Sequence, residues 1–390
     1  MWPKSEKQSN LLKIAQEISS AISDTSALHD REGTFPHEHF RLMKEKGYIS
    51  ASIPSEYGGE GHGLTDIALA QYEIAKGDGS TALAMGMHHV SIGTESDSKL
   101  WPQHIREYVF RESIKKGAMI NSLASEPDLG SPRGGGRPAT TLIRGKLKNE
   151  WVLNGRKTWS TLSPALTFAI TFAAVEDDSG DTARIIVRMD DPGVTIDETW
   201  DSMSMRSTGS HDVVFDNVKI MESDFISRSN PNSGFLGKKD SDVWFPLLNS
   251  AVSLGVATAA RDYAVDYAKN RKPTGAVNPI SHIPNVREKV ATMEMKLVQA
   301  RRALFHTTED WEEFSEEEED FSDLISMTKL HSVQTAIDVT DIAMRIVGAV
   351  ALEKNRPIER YFRDVRSALN NPPLEARALD SIASSVLDRD

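Results

Sequence analysis

The chain has 390 residues, a length that favours two or three domains over a single one. Apolar residues make up 39% of the chain and charged residues 26%, which is typical of a globular protein, and no apolar run is long enough to predict a membrane span. There is no cysteine, which excludes disulfides, thiolate metal sites and a cysteine nucleophile. The first ten residues lack the apolar core of a secretory signal, so a cytoplasmic location is expected.

Much of the formal net charge of −12 comes from one segment. Residues 309–320, EDWEEFSEEEED, contain nine acidic residues and no basic one, and without them 48 acidic residues face 45 basic ones. The rest of the chain is therefore nearly neutral and lacks the basic surface that nucleic-acid binding needs. The segment is interpreted as a solvated connector between helices, with a partner-binding or cation-binding loop as the alternative.

The first part of the chain has the hydrophobic period of helices. Residues 11–22 repeat apolar side chains at every third or fourth position, and residues 37–49 contain a second helix that Gly47 ends as a C-cap. The breaker-rich residues 53–63 predict a loop, and residues 64–95 predict further helix, of which the second half is nearly uncharged and therefore buried.

At about residue 120 the apolar runs become short and rich in β-branched and aromatic residues. Asn154-Gly155, within EWVLNGRKTWST, predicts a two-residue hairpin turn. Strands are expected over residues 166–175, 183–189 and 211–220, with polar turns between them. This region is expected to be an antiparallel β-barrel or sandwich.

Beyond about residue 240 the helical period returns and predicts the core of a helical bundle. The fold class is therefore α+β with three domains: an N-terminal α-helical domain over 1–120, a middle β domain over 121–226 and a C-terminal helical domain over 227–390. Two apolar stripes carry the last assignment: Val286, Val290, Met293, Leu297, Ala300 and Leu304, and then Leu330, Val333, Ile337, Met344 and Val347.

The loop SEPDLGSPRGGGR, residues 125–137, has the composition of an anion-binding loop. Its glycines allow a close backbone approach, and its serines and free N–H groups suit a phosphate. The P-loop pattern is absent, and the loop leads into β-structure rather than into a helix, so neither a nucleotide hydrolase nor a Rossmann fold is predicted. A flexible loop of the β domain is the alternative.

Five motifs occur in a fixed order: SEPDLGS, NEWVLNGRKTWSTL, SMRSTGSHDVVFDNVKI, AARDYAVDYAKNRKPTG and IERYFRDVR. This series resembles the acyl-CoA dehydrogenase superfamily of flavoproteins, whose corresponding stretches are T-E-P-x-x-G-S, G-x-K-x-W-I-T, G-M-R-x-S/T followed by V-F-D-x-V, A-x-x-Y-x-x-x-R-x-x-F-G, and a late R-D. The N-terminal FPHEHFRLMKEKGYISASIPSEYGGEGHG also looks like that family, and the resemblance covers about residues 35–370.

The resemblance implies an N-terminal α-domain, a middle antiparallel β-barrel and a C-terminal four-helix bundle, with FAD between barrel and bundle. It further implies that Arg271 contacts FAD across a subunit boundary, so that the protein is a homo-oligomer, a dimer or a tetramer. An acyl-CoA or another small molecule is the expected substrate, and an electron-transferring flavoprotein is the expected partner. The cofactor-binding residues implied are Leu123, Ser125, Gly130, Ser131, Trp159, Ser160, Thr161, Arg271 and Gly348.

The chain departs from the family at the catalytic base. The usual glutamate, a few residues after Arg363-Asp364, falls on Pro372, and the alternative position on the first bundle helix falls on Phe245. Neither side chain accepts a proton. Glu375 lies three residues beyond Pro372 and is a candidate base, with a surface glutamate at a helix start as the alternative.

Other departures and candidates concern the substrate. His88 and His89 lie in an apolar segment, and we consider His89 as a catalytic residue and His88 as a substrate-binding residue, against buried structural histidines. Arg133 and Arg137 are candidates for a phosphate of CoA, or are solvated loop charges. The family's G-G-x-G becomes GAVA at Gly348, which keeps only the first glycine.

Three functions remain open from the sequence. The first is α,β-dehydrogenation of an acyl-CoA with a displaced base and hydride transfer to the flavin. The second is a flavin-dependent monooxygenase on the same fold, in which no carboxylate base is needed. The third is a protein that has lost catalysis and acts as a binding module. No metal site is expected.

Overall fold

The computed structural model describes residues 3–129, 136–177, 179–229, 243–314 and 321–388. Its N-terminal part is helical, as predicted. The first helix begins after Ser5, whose Oγ accepts the N–H of Gln8, and ends at Gly33 in the left-handed region. Five helices form this part: α1 (Glu6–Glu32), α2 (His37–Glu45), α3 (Leu64–Gly77), α4 (Gly79–Ser98) and α5 (Gln103–Lys116).

Within the described residues, the middle part is one sheet of eight strands, in the order β6-β7-β3-β2-β4-β5-β8, with β1 also paired to β4. The strands are β1 (Ile120–Leu123), β2 (Thr141–Arg144), β3 (Glu150–Lys157), β4 (Phe168–Val175), β5 (Thr182–Arg188), β6 (Val194–Asp197), β7 (Asp212–Met221) and β8 (Phe225–Ser229).

The sheet is mixed rather than purely antiparallel, which corrects one detail of the predicted fold class. Strands β1 and β2 both pair in parallel with β4, while the other described pairings are antiparallel. β1 pairs with residues 168–171 of β4 and β2 with residues 174–175, while β5 takes the other edge of β4. Strands β1 and β2 thus lie along the same edge of β4 and run in the same direction.

The predicted hairpin turn at Asn154-Gly155 is wrong, because both residues lie inside β3. The register between β3 and β7 shifts between Leu153 and Gly155, as in a β-bulge. Gly155 has a φ of +150°, and a Cβ there would lie 2.5 Å from Thr140 Oγ1, so glycine is required by close packing rather than by a turn.

The C-terminal part consists of α6 (Trp244–Asn270), α7 (Pro284–Phe314), α8 (Ser322–Val347), α9 (Pro357–Asp364) and α10 (Glu375–Leu387). Helices α6, α7 and α8 pack on one another, and α6 also packs on α3 and α4, so the two helical parts share a core. The apolar stripe predicted for α7 faces this core, with Leu297 and Leu304 fully buried, whereas Ile337 and Met344 of the stripe predicted for α8 are only partly buried against it. The predicted domain boundaries stay predictions.

The acidic segment is partly a helix rather than a solvated connector. Helix α7 continues to Phe314, and Glu312 Oε1 accepts the N–H of Thr65 at 3.0 Å. Burial raises the pKa of Glu312. Residues 315–320 lie outside the described residues. Across the described ranges, no helix is long and apolar enough to cross a membrane.

Candidate functional site

The loop after β1 is fixed to the end of β3 by a buried ion pair. Lys157 Nζ lies 2.6 Å from Glu126 Oε1, and neither side chain is more than 3% exposed. The carboxylate of Glu126 also accepts the N–H groups of Ala139 and Thr140. The neighbouring residues are also joined, because the N–H of Thr158, which follows Lys157, donates to the carbonyl of Ser125, which precedes Glu126. The SEPDLGS and KTWST motifs therefore meet at one place in the fold.

Trp159 follows directly and presents its indole to the outside. It has a φ of +55° and is 67% exposed, although it is neither a glycine nor an asparagine. The main chain holds it there, since Ser160 N–H donates to the carbonyl of His211. The indole meets the ring of Trp200 edge to face, with centroids 5.2 Å apart. A strained backbone that exposes an apolar ring points to a functional role, because packing alone does not explain it.

A chain of hydroxyl groups fixes the direction of the Thr161 hydroxyl. Thr208 Oγ1 donates to the carbonyl of Met205, so it must accept from Ser210 Oγ at 2.8 Å. Ser210 Oγ in turn accepts from Thr161 Oγ1, also at 2.8 Å. The single proton of the Thr161 hydroxyl is thus directed to Ser210. The oxygen of Thr161 keeps its lone pairs for another partner.

Helix α9 holds the loop that carries Trp200. Asp364 Oδ1 accepts the N–H of Met205 at 2.7 Å, and Arg363 donates to the carbonyl of Met203. Arg363 also forms a two-bond ion pair with Asp30 of α1. The late R-D motif therefore ties the sheet to both helical parts.

The Asp364 carboxyl is fully buried, and this burial raises its pKa to about 7. The N–H of Met205 and the guanidinium of Arg360 oppose the shift, while Asp30 and Asp78 reinforce it. A carboxyl that is protonated below about pH 7 is thus part of the contact between α9 and the sheet.

The two histidines of α4 are buried rather than open to a ligand. Both ring nitrogens of His88 contact main-chain groups, the carbonyl of Ile49 and the N–H of Ile120. His89 Nδ1 contacts Ser52 Oγ, while its Nε2 has no partner among the described residues. Burial lowers the pKa of both rings, so both are neutral at pH 7. These contacts favour the structural alternative for His88, and the catalytic role of His89 stays a prediction.

The remaining candidates lie on separate elements. Leu123 ends β1 and is buried, and the hydroxyl of Ser160 is buried without a partner among the described residues. Arg271 caps α6, is exposed, and makes no side-chain hydrogen bond or ion pair with a described residue. Gly348 caps α8 with a φ of +77°, a conformation that favours glycine.

Glu375 is the exposed first residue of α10. It attracts the buried Lys329 of α8, whose Nζ donates to the carbonyls of Asn371 and Pro373. Burial nevertheless lowers the pKa of Lys329. Glu375 is thus close to the segment around Pro372 that Lys329 contacts, and no described hydrogen bond or ion pair joins it to Trp159 or Thr161.

Three predicted residues, Gly130, Ser131 and Arg133, lie outside the described residues. Arg137 is described and is engaged within its own sheet, donating to the carbonyls of Val175 and Gly180. The sequence reasoning assigned no role to Glu126, Lys157 or Ser210. All three residues stand inside the quoted motifs, and that position is the one sequence signal for them.

The family of the chain follows from comparison with known proteins. Three family models match it in succession: "Acyl-CoA dehydrogenase, N-terminal domain" over residues 5–96, the middle domain over 122–218 and the C-terminal domain over 247–370. YdbM of Bacillus subtilis (strain 168), provisionally named an acyl-CoA dehydrogenase, is 36% identical over 388 residues, covering 100% of this chain and 99% of YdbM. The chain belongs to the acyl-CoA dehydrogenase family.

Other matches span more than one reaction. Benzylmalonyl-CoA dehydrogenase of Aromatoleum aromaticum (strain EbN1) is 29% identical, with 91% of each chain covered. Among solved structures, butyryl-CoA dehydrogenase of Megasphaera elsdenii superposes with a TM-score of 0.87 at 20% identity, covering 99% of this chain and 100% of that one. KijD3 in complex with FMN and a dTDP-amino sugar has a TM-score of 0.86 at 24% identity, covering 100% and 95%. At these identities the two structures establish the fold alone.

Proposed function

We propose that this protein is a flavin-dependent oxidoreductase that removes two hydrogens from the α and β carbons of an acyl-CoA thioester. The observation that carries the proposal is the exposed Trp159, held in a left-handed conformation beside Thr161 at the position of the family's flavin motif. Full-length similarity to YdbM, at 36% identity, supports the substrate class.

The residues around Trp159 fit a flavin, and we propose FAD. The exposed indole offers an apolar wall for the ring system, and the Thr161 oxygen offers a hydrogen-bond acceptor at its edge. The guanidinium of Arg271, which has no partner among the described residues, suits a pyrophosphate. If Arg271 acts on the FAD of another subunit, the protein is a homo-oligomer. We further propose that the reduced flavin passes its electrons to an electron-transferring flavoprotein.

When bound, a flavin supplies the acceptor for the hydride that leaves the β carbon. The chain must supply the acceptor for the α-proton. Trp159 would shield the reacting carbons from water, and the tether between Glu126 and Lys157 would hold Trp159 and Thr161 at fixed positions. We propose Glu375 as the proton acceptor, because it is the carboxylate nearest in sequence to Pro372 and lies beside the segment that Lys329 clamps.

Replacing Glu375 with glutamine is expected to slow flavin reduction by an acyl-CoA about 10²–10⁴-fold, since a positioned general base contributes that much. Glutamine preserves the size of the side chain and removes its basicity. Stopped-flow absorbance under anaerobic conditions measures the rate, and Asp380→Asn, an exposed acid on the same helix, is the matched control. Equal rates in wild type and Glu375→Gln would remove Glu375 from the mechanism.

A flavin-dependent monooxygenase is the second candidate. It is favoured by Pro372 and Phe245, which stand where the family places its carboxylate base and accept no proton. The fold also takes a flavin together with a ligand that is not a thioester, since TdsC of Paenibacillus sp. A11-2, crystallised with FMN and indole, superposes with a TM-score of 0.83. A chain that binds flavin without turnover is the third possibility.

Anaerobic titration of the flavin-loaded protein with acyl-CoAs of different chain length separates these functions. Bleaching of the flavin absorbance by at least one thioester supports the dehydrogenase. Absence of bleaching by every thioester, together with oxygen consumption when the flavin is reduced externally, supports the monooxygenase. Absence of both leaves only a binding protein.

Replacing Ser210 with alanine is expected to lower the midpoint potential of the bound flavin by about 30 mV. Without Ser210, the Thr161 proton is free to donate to the oxidised ring, and a gain of about 1.4 kcal/mol corresponds to that shift in a two-electron couple. Equilibration with reference dyes measures the potential. Ser210→Thr keeps the hydroxyl and should restore the wild-type value, whereas equal potentials in all three proteins would contradict the hydroxyl chain.

A further inference from the structure

We propose that His29, Glu38 and His39 form a site for a divalent transition metal, best suited to Zn²⁺, where the end of α1 meets the start of α2. Their ligand atoms all lie within 4.8 Å of one another. His29 Nε2 is 2.6 Å from Glu38 Oε1, and His39 Nε2 is 3.9 Å from the same oxygen. Two imidazoles and one carboxylate form a zinc ligand set that leaves a fourth position for water.

The hydrogen bonds around His39 determine which nitrogen carries its proton. Thr81 Oγ1 donates to Asp78 Oδ2 at 2.6 Å, so it must accept from His39 Nδ1–H at 2.8 Å. In the neutral ring, Nε2 therefore carries the lone pair, and Thr25 Oγ1 is placed to donate to it at 2.7 Å. This is the tautomer in which Nε2 can bind a metal.

The ring of His29 has the same kind of outer partner. Its Nδ1 lies 2.8 Å from Thr34 Oγ1, while Nε2 donates to the carboxylate of Glu38. On metal binding, the proton of the neutral ring moves from Nε2 to Nδ1, and Thr34 Oγ1 then accepts from Nδ1–H. Each ligand histidine thus has a hydroxyl at its far nitrogen, the outer contact that orients metal-binding imidazoles.

The site is open on one side only. The His39 side chain is 2% exposed and that of His29 13%, whereas Glu38 is 47% exposed. The two largely buried imidazoles therefore form the base of the site, and the half-exposed carboxylate lies on its solvent side. The next residue after His29, Asp30, pairs with Arg363 of α9, so a metal here would stabilise the region where α1 meets the C-terminal part.

The test uses the full-length protein, freed of metal by a chelator and titrated with Zn²⁺ alone in a calorimeter. We expect one equivalent of Zn²⁺ to bind, with affinity reduced at least about tenfold in His29→Gln and in Glu38→Gln. His331→Gln, which changes an exposed histidine of α8, is the matched control and should bind Zn²⁺ as the wild type does.

Cobalt(II) provides a second readout that does not depend on enzyme activity. A four-coordinate site with two imidazoles should give an intense visible ligand-field absorbance that Zn²⁺ displaces. Because Glu38 is half exposed, Glu38→Gln is expected to keep the melting temperature of the metal-free wild type. No Zn²⁺ binding by the wild type, or equal binding by His29→Gln and Glu38→Gln, overturns the proposal.

Discussion

Replacing Lys157 with methionine is expected to lower the free energy of unfolding by about 3–5 kcal/mol, because the change leaves a buried carboxylate without its cation. Lys157 and Glu126 are both almost fully buried, and their charged atoms lie 2.6 Å apart. Burial opposes ionisation of Glu126, yet its contacts with Lys157, Thr140 and Ala139 keep its pKa below the usual value. The variant must bury this negative charge alone.

Urea denaturation at pH 7 measures the effect, and Lys148→Met is the matched control because Lys148 is an exposed lysine of the preceding turn. The same change should weaken flavin binding, since the ion pair holds the loop of Ser125 against the strand end that carries Trp159. If Lys157→Met and Lys148→Met had the same free energy of unfolding, the tether would contribute nothing to the fold.

Deprotonation of Asp364 is expected to lower the free energy of unfolding as the pH rises from 5 to 8. Its pKa is about 7 in the folded chain and about 3.9 in the unfolded chain, so between these values the folded state binds more protons. The contribution of Asp364 is therefore largest at low pH and is lost as the pH rises through 7. The linkage relation gives a loss of about 2–3 kcal/mol over this range.

The measurement is the difference between wild type and Asp364→Asn in urea denaturation at several pH values. Asparagine still accepts the N–H of Met205 but does not titrate in this range, and the contributions of the other titrating groups cancel in the difference. The free energy of the wild type should fall relative to that of Asp364→Asn between pH 5 and 8. A constant difference, or one of opposite sign, would contradict a protonated Asp364.

The helical parts of the fold follow from the sequence because their signal is local and periodic. The stripes of α1 and α7 repeat every three or four residues, and Ile18 and Leu297 in them are buried as expected. The predicted hairpin turn at Asn154-Gly155 was wrong because the contact that decides its structure is not local in sequence. The same two residues that favour a hairpin turn also suit a bulge, and the packing of Gly155 against Thr140, fifteen residues earlier, decides between them.

The candidate site is predictable only in part, because its contacts join segments distant in sequence. The quoted motifs contain Trp159 and Thr161, which lie close together because they are two residues apart in the sequence. The partner of Thr161 is Ser210, and the partner of Met205 is Asp364, 159 positions later. No spacing rule links such residues, since only the paths of β7 and α9 bring them together.

The most direct test of the account is titration of the purified, flavin-free protein with FAD, followed by flavin absorbance and tryptophan fluorescence. We expect saturable binding that quenches the fluorescence, and about two- to twelvefold weaker binding in Trp159→Leu, because ring stacking contributes roughly 0.5–1.5 kcal/mol. Binding of neither FAD nor FMN, or equally tight binding by Trp159→Leu, would contradict the placement of a flavin at Trp159.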